Sequence, residues 1–134
     1  MKRQGVLLLA IHESAENYLE TILMLSQQKS EVRSIDIANE LNFSKPSVSV
    51  AMKNLRNSGH IKMDENGFIT LTESGYQIAS TIYERHTLIS KALMSLGVDE
   101  ETAVADACRI EHVISPESFE AIKKHLKGKE TGKS

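Results

Sequence analysis

Two short helices separated by a tight turn are the feature that most constrains the fold of this chain. Residues 34–41 (SIDIANEL) carry apolar residues at helical spacing, and Ser34 is the predicted N-cap. After a short connection, Ser44 is suited to cap a second helix, predicted over residues 45–57, with Pro46 in its first turn. Proline is tolerated there because the missing N–H has no helical partner to lose. Two capped helices joined in this way predict a helix-turn-helix.

The residues that follow predict a β-hairpin. Gly59 is suited to the left-handed residue that ends the second helix. Residues 61–63 and 68–71 then alternate apolar and polar side chains, as strands with one buried face do. The intervening Asp-Glu-Asn-Gly (64–67) is typical of a hairpin turn. A helix-turn-helix followed by a hairpin is a winged helix, and we predict one over residues 13–73.

The second helix has an apolar and a polar face. Val48, Met52 and Leu55 recur on the apolar face and are expected to pack on the preceding helix. The polar face lies within residues 42–63, which hold four basic residues and no acidic one. Such a segment favours contact with DNA phosphates; the alternative is an ordinary solvated face within a chance gap in the acids. The residues predicted to contact DNA are Ser44, Lys45, Pro46, Ser47, Ser49, Val50, Lys53 and Lys62.

Composition narrows the class of protein. The chain of 134 residues has 18 acidic and 16 basic residues, and this balance argues against a generally basic nucleic-acid coat. Its single cysteine excludes an internal disulfide framework and fits the reducing cytoplasm. The apolar run 6–11 is too short for a secretory core or a membrane span. Residues 1–12 are therefore expected to be an extension that packs on a neighbour or is poorly ordered.

The remainder of the chain is predicted to be helical, so the expected fold class is mainly α. Besides the two helices of the helix-turn-helix, the predicted helices cover residues 13–28, 73–96, 100–114 and 116–127. The residues expected to face the core include Leu19, Ile22, Ile35, Ala38, Ile82, Ile89, Leu96, Ala107 and Phe119. Residues 74–127 form a second, all-helical domain in this prediction, and the lysine-rich residues 128–134 a disordered tail.

A possible metal site is indicated by Cys108, Glu111 and His112. These residues stand at i, i+3 and i+4, so a helix would place their side chains on one face. A thiolate, a carboxylate and an imidazole that converge can hold a divalent transition metal. The alternative is a buried cysteine beside a solvated Glu-His pair. No spacing typical of a catalytic motif is present, so we expect no enzyme activity.

The order of a winged helix, a long helix and a Cys-x-x-Glu-His helix resembles the diphtheria toxin repressor and manganese transport regulator family of metal-dependent transcriptional regulators. The resemblance covers residues 13–127 and lacks the SH3-like domain of the longer members. It is carried by ENYLETIL (16–23), SIDIANELNFSKPSVSVAMKNL (34–55), GFITLTESG (67–75), ERHTLI (84–89) and DACRIEHVIS (106–115). The last run is the most specific, because it joins the ligand spacing to its flanks.

This resemblance implies a metal held between the first helix and the helices of a dimerisation domain. The implied ligands are Glu20, His86, Cys108, Glu111, His112 and Asn17. By themselves, Asn17 and Glu20 are typical of solvated positions, and His86 of a satisfied core histidine. Asn17 stands where the manganese type has an aspartate, and an amide oxygen is a weaker ligand than a carboxylate. The accessory site of the iron type is expected to be missing, because Ser90 and Val104 replace two of its ligands.

The expected ion is Fe(II), ranked slightly above Mn(II), with Zn(II) or Co(II) as occupants in vitro. A thiolate such as Cys108 favours the softer ions over Mn(II), whereas Glu20 and His86 match the manganese type. The resemblance implies a cytoplasmic homodimer that binds a palindromic operator in double-stranded DNA and represses metal-uptake genes. In this interpretation metal binding stabilises the DNA-competent homodimer, and no membrane or small-molecule substrate takes part.

Three other interpretations remain open on the sequence alone. The first is a winged-helix regulator that does not respond to metal, with Cys108 as a redox sensor or a core residue. The second is a metalloenzyme with the same ligands, which is disfavoured because no general base accompanies an open coordination position. The third is a protein-interaction module without a role on DNA.

Overall fold

The computed structural model describes the secondary structure of residues 2–130 and the side chains of residues 14–128. Its elements are α1 (Lys2–Gln28), α2 (Ser34–Leu41), α3 (Lys45–Asn57), β1 (Ile61–Met63), β2 (Ile69–Leu71), α4 (Glu73–Ser95), α5 (Glu100–Ile110) and α6 (Pro116–Glu130). The predicted fold class, mainly α with a winged helix-turn-helix followed by an all-helical region, is confirmed. No helix within the described residues is long and apolar enough to cross a membrane.

The chain forms two compact units, residues 1–80 and 81–134. Their boundary lies inside α4, later than the predicted boundary between residues 73 and 74. The difference has a packing reason, because Ala79 is fully buried in the hydrophobic cluster of the winged helix and Ile78 packs against it. The first turns of α4 therefore belong to the first unit.

The core of the first unit is built from the apolar faces of α1, α2 and α3. Leu19 and Ile22 of α1 meet Ile37 of α2 and Val48 and Met52 of α3, and each of these side chains is at most 1% exposed. Removing one such side chain from water stabilises the fold by about 1.5–3 kcal/mol. The predicted apolar stripes of α1 and α3 are therefore confirmed, and they fix the outward direction of the polar face of α3.

The turn between α2 and α3 is formed by local interactions. Asn42 adopts the left-handed conformation at φ 58°, which asparagine tolerates better than most residues. The hydroxyl of Ser44 accepts the backbone N–H of Ser47 at 3.3 Å and so caps α3. At the other end, Gly59 has φ 84° in the turn that follows α3. The cap and stop predicted for α3 are confirmed.

Helix α1 begins earlier than predicted. It starts at Lys2 instead of near residue 13. Residues 2–12 contain no proline and are rich in leucine and other helix formers, so nothing in them ends a helix that already runs through residues 13–28. The expected packing of residues 1–12 on a neighbour lies outside the described side chains.

The start and the buried face of α2 also differ from the prediction. Arg33, not Ser34, is the N-cap, because the carboxylate of Asp36 accepts the backbone N–H of Arg33 at 2.8 Å. The pKa of Asp36 is lowered mainly by a hydrogen bond from Lys29 Nζ at 2.6 Å. The backbone hydrogen bond from Arg33 lowers it further. Ile35 is 38% exposed, so its predicted core position is wrong.

The wing is a short antiparallel hairpin. Ile61 lies opposite Leu71 in its register, and Ile61 and Ile69 are 2% exposed. The carboxylate of Asp64 accepts backbone N–H groups across the turn, and Gly67 takes the left-handed conformation at φ 81°. The predicted hairpin is confirmed, with β2 beginning at Ile69 instead of residue 68.

The second unit packs α4, α5 and α6 around Ile89, Ala107 and Phe119. Helix α5 ends at Ile110 instead of residue 114, and a turn carries the chain toward α6. Leu96 is 76% exposed, and its predicted core position is wrong because α4 ends before it, where the chain turns away.

Helix α6 extends beyond its predicted end. It continues to Glu130, so the predicted disorder of residues 128–130 is wrong. Lysine and glutamate are good helix formers, and they carry the helix through Gly128. The rest of the expected tail, residues 131–134, lies outside the described residues.

Candidate functional site

Three potential metal ligands converge within the second unit. Among the described residues, His86, Cys108 and Glu111 each offer a donor atom, and these atoms all lie within 4.8 Å of one another. Helix α4 supplies His86, and α5 supplies Cys108. Glu111 is the first residue after α5 and keeps helical dihedral angles of −58° and −25°. The i, i+3 spacing of Cys108 and Glu111 therefore retains its effect although the helix formally ends at Ile110.

Direct contacts tie the three side chains together. The Nδ1 atom of His86 lies 2.9 Å from Oε2 of Glu111, within hydrogen-bonding distance. The thiol sulfur of Cys108 lies 3.8 Å from the same ring nitrogen. Atoms of Glu111 and Cys108, at the end of α5, thus lie close to the same ring nitrogen of His86 on α4.

Glu111 is the least ordinary member of the cluster, because its side chain is completely buried. Its Oε1 atom has no hydrogen-bond partner within the described structure. The Nε2 atom of His112 lies 3.5 Å from Oε1, which is longer than a normal hydrogen bond. A buried polar atom without a partner costs about 1–3 kcal/mol, and a carboxylate oxygen costs more unless a cation satisfies it. This orphaned oxygen is the observation that a bound metal ion explains.

The donor set also fits a divalent transition metal chemically. An imidazole, a thiolate and a carboxylate together suit Fe(II), Co(II) and Zn(II), and they accommodate Mn(II) less well because of the sulfur. Cys108 is exposed, so its sulfur is accessible from solvent although Glu111 is buried. Because the sulfur of Cys108 is accessible, a metal ion has a path from solvent to the buried carboxylate.

The other predicted ligands are placed differently. The side chain of His112 is 3% exposed and faces Glu111, but His112 is outside the group of three that share mutual distances of 4.8 Å. Asn17 and Glu20 lie on α1 in the first unit, where Asn17 is exposed and Glu20 is buried. The ligand roles of all six residues stay predictions.

Arg85 is a residue of this region that the sequence analysis did not single out. Its Nη1 atom donates to the backbone carbonyls of Glu111 at 3.1 Å and Ile114 at 3.3 Å. Its guanidinium carbon lies 5.7 Å from the ring centroid of Phe119. The only signal in the sequence is its position beside His86, and that gives no indication of contacts with α5 or α6.

The residues predicted to contact DNA lie on α3 and at its N-cap, except Lys62, which lies on β1. All eight predicted residues are exposed, and Val50 is 60% exposed although it is apolar. An exposed valine between Ser49 and Lys53 can contact thymine methyl groups while its neighbours bind phosphate oxygens. Ser44 and Ser47 also share a hydroxyl–hydroxyl bond of 2.8 Å that supports the cap. These properties suit a recognition helix, and the individual contacts stay predictions.

The comparisons with known families cover both units. Residues 10–69 match the family described as "Iron dependent repressor, N-terminal DNA binding domain". Residues 72–131 match the one described as "Iron dependent repressor, metal binding and dimerisation domain".

Similar proteins of known name or structure agree with these matches. An uncharacterized HTH-type transcriptional regulator of Methanocaldococcus jannaschii is 34% identical over 113 residues, covering 83% of this chain and 90% of the relative. The transcriptional regulator MntR of Escherichia coli is 34% identical over 111 residues, covering 83% of this chain and 72% of the relative. The solved structure of the manganese regulator SloR has a TM-score of 0.76 and 30% identity, with 84% of this chain aligned to 53% of that one. This chain therefore spans about half the length of that solved relative.

Proposed function

Because the chain belongs to the iron dependent repressor family, we propose that it represses transcription as a homodimer whose affinity for DNA depends on a divalent transition metal. The single observation that carries the metal dependence is the buried carboxylate of Glu111. One of its oxygens lacks a donor, while His86 and Cys108 converge on the residue from two helices. The proposed target genes are those for metal uptake, and the proposed place of action is the cytoplasm.

The residues that would hold the ion are His86, Cys108 and Glu111. His112, which faces Glu111, is a further proposed ligand. When bound, the ion supplies one positive centre that several anionic or electron-rich donors share. The chain's own contribution is to carry these donors close together on α4 and at the end of α5. The ligand roles of Asn17 and Glu20 rest on the family resemblance alone.

Fe(II) remains our first choice of ion, slightly ahead of Mn(II). The sulfur of Cys108 in the cluster favours Fe(II), because a thiolate binds softer ions better than Mn(II). The similarity to a manganese regulator favours Mn(II). Titrating the metal-free protein with each ion under anaerobic conditions compares the two affinities directly.

The metal dependence is tested by a DNA-binding titration. The probe is a duplex selected from random sequence by this protein in the presence of Fe(II) or Mn(II). We expect its affinity to rise roughly 5–150-fold when metal is added and to return to the metal-free value with chelator. The rise reflects preferential metal binding to the DNA-competent conformation. An affinity that is the same with and without metal would contradict the proposal.

The role of α3 is tested by reversing one charge on its exposed face. Lys53→Glu is expected to weaken binding to the selected duplex by about tenfold or more, because a phosphate contact becomes a repulsion. Lys124→Glu, at an exposed position of α6, makes the same charge change on a different helix and is the matched control. Fluorescence anisotropy at two salt concentrations measures both variants. Equal losses in the two variants would mean that total charge, and not the α3 surface, governs binding.

A further inference from the structure

Arg85 connects the middle of α4 to the end of α5. Its Nη1 atom carries two N–H groups, which donate to the carbonyl oxygens of Glu111 at 3.1 Å and Ile114 at 3.3 Å. The carbonyl of Glu111, the C-cap residue of α5, lacks the partner that a further turn would have supplied, and the carbonyl of Ile114 lies in the connection before α6. A guanidinium in this position satisfies them and also places positive charge at the negative end of the helix dipole.

The same glutamate is held twice by neighbouring residues of α4. Arg85 binds the backbone carbonyl of Glu111, and His86 lies 2.9 Å from its side-chain carboxylate. One bond restrains where the residue lies, and the other restrains where its carboxylate points. A side chain whose backbone is fixed loses less conformational freedom when it binds an ion.

The side chain of Arg85 is partly buried. It extends over the ring of Phe119, which is 4% exposed, and its Nε atom is buried without a hydrogen-bond partner in the described structure. Leaving a buried donor unsatisfied costs about 1–3 kcal/mol. An apolar side chain at this position would avoid that cost but could not hold the two carbonyls.

We propose that Arg85 is a positioning residue for the metal site, acting through the backbone of the turn at residues 111–114. The inference rests on the proposed function, since it assumes that Glu111 binds a metal ion. Arg85 does not contact the ion in this account. It keeps the carboxylate of Glu111 directed at His86 and Cys108, so that the ligands are preorganised.

The test compares Co(II) binding by the wild type, Arg85→Met and Arg85→Lys. Methionine keeps an unbranched apolar stem and removes the donors, whereas lysine restores the charge and one donor group. Bonds to groups that orient a ligand typically contribute about 10–100-fold in metal affinity. We expect a loss in that range for Arg85→Met, a smaller loss for Arg85→Lys, and an altered thiolate-to-cobalt absorption band in Arg85→Met. The matched control is Lys123→Met, which removes an ion pair with Glu84 at 3.3 Å and should bind Co(II) like the wild type.

The outcomes separate this inference from the proposed function. If the wild type binds no Co(II), the metal-dependent function fails and the inference fails with it. If the wild type binds and Arg85→Met binds equally well with the same spectrum, the inference alone is overturned. Should Arg85→Met lose its helical circular dichroism, Arg85→Lys decides: weaker binding by a folded variant supports the inference, and unchanged binding overturns it.

Discussion

Replacing Glu111 with glutamine is expected to lower the affinity for Co(II) or Mn(II) at least about 100-fold without destabilising the metal-free protein. Glutamine has the shape of glutamate but no negative charge. The completely buried carboxylate therefore loses its value as a ligand, while the packing around it is retained. In the absence of metal, burying a neutral amide costs less than burying a charged carboxylate with one unsatisfied oxygen.

These two effects have opposite signs, which makes the experiment informative. Metal titration should show a large loss, and urea denaturation with chelator should show a free energy of unfolding equal to or above that of the wild type. Glu101→Gln, on the exposed first turn of α5, is the control for removing one carboxylate from the same helix. If Glu111→Gln binds metal normally, or if it unfolds without metal, Glu111 is a structural residue and not a ligand.

Much of the winged helix could be predicted because its signals are local. Ser44 caps α3 through a backbone group three residues away, and Gly59 supplies the left-handed conformation that ends it. The hairpin turn likewise depends on Asp64 and Gly67, which lie within the turn itself. Such features need no knowledge of what packs from elsewhere in the chain.

The incorrect predictions concern residues whose burial or capping role depends on tertiary packing. Ile35 and Ile37 are both apolar residues of a helix only eight residues long, and so short a pattern fits two different buried faces. The N-cap of the same helix was predicted as Ser34, because serine is a common capping residue. In the structure Asp36, in the first turn, accepts the backbone N–H of Arg33 instead. Leu96 has the spacing of a core residue but follows the end of its helix, so the spacing no longer determines where its side chain lies.

The candidate site shows the same division. The spacing of Cys108 and Glu111 indicates a shared helical face without further information. That His86 meets them depends on how α4 packs against α5, and here the family resemblance supplied what periodicity could not. The bonds of Arg85 to two carbonyls involve backbone atoms of distant residues, for which the sequence contains no pattern.

The second large effect is expected from Gly75→Ala, near the start of α4. Both the wing and α4 depend on a close approach here, because a Cβ atom on Gly75 would lie 2.0 Å from the backbone carbonyl oxygen of His60. That oxygen accepts the backbone N–H of Thr72 at 3.1 Å, so displacing it disturbs the connection between β2 and α4. We expect a destabilisation of about 1–3 kcal/mol, typical of forcing an extra carbon into a packed site.

The control makes the sign of this effect diagnostic. Gly128 also lies inside a helix, α6, but a Cβ atom there would meet nothing within 4 Å. Helix propensity alone predicts that alanine stabilises both positions by about 0.8–1.0 kcal/mol. Urea denaturation followed by circular dichroism should therefore show a lower midpoint for Gly75→Ala and an equal or higher one for Gly128→Ala. A rise at both positions would mean that the wing and α4 do not approach as closely as described. Because the wing and α3 share one core, a loosened wing should also weaken DNA binding. We expect this loss in Gly75→Ala and not in Gly128→Ala.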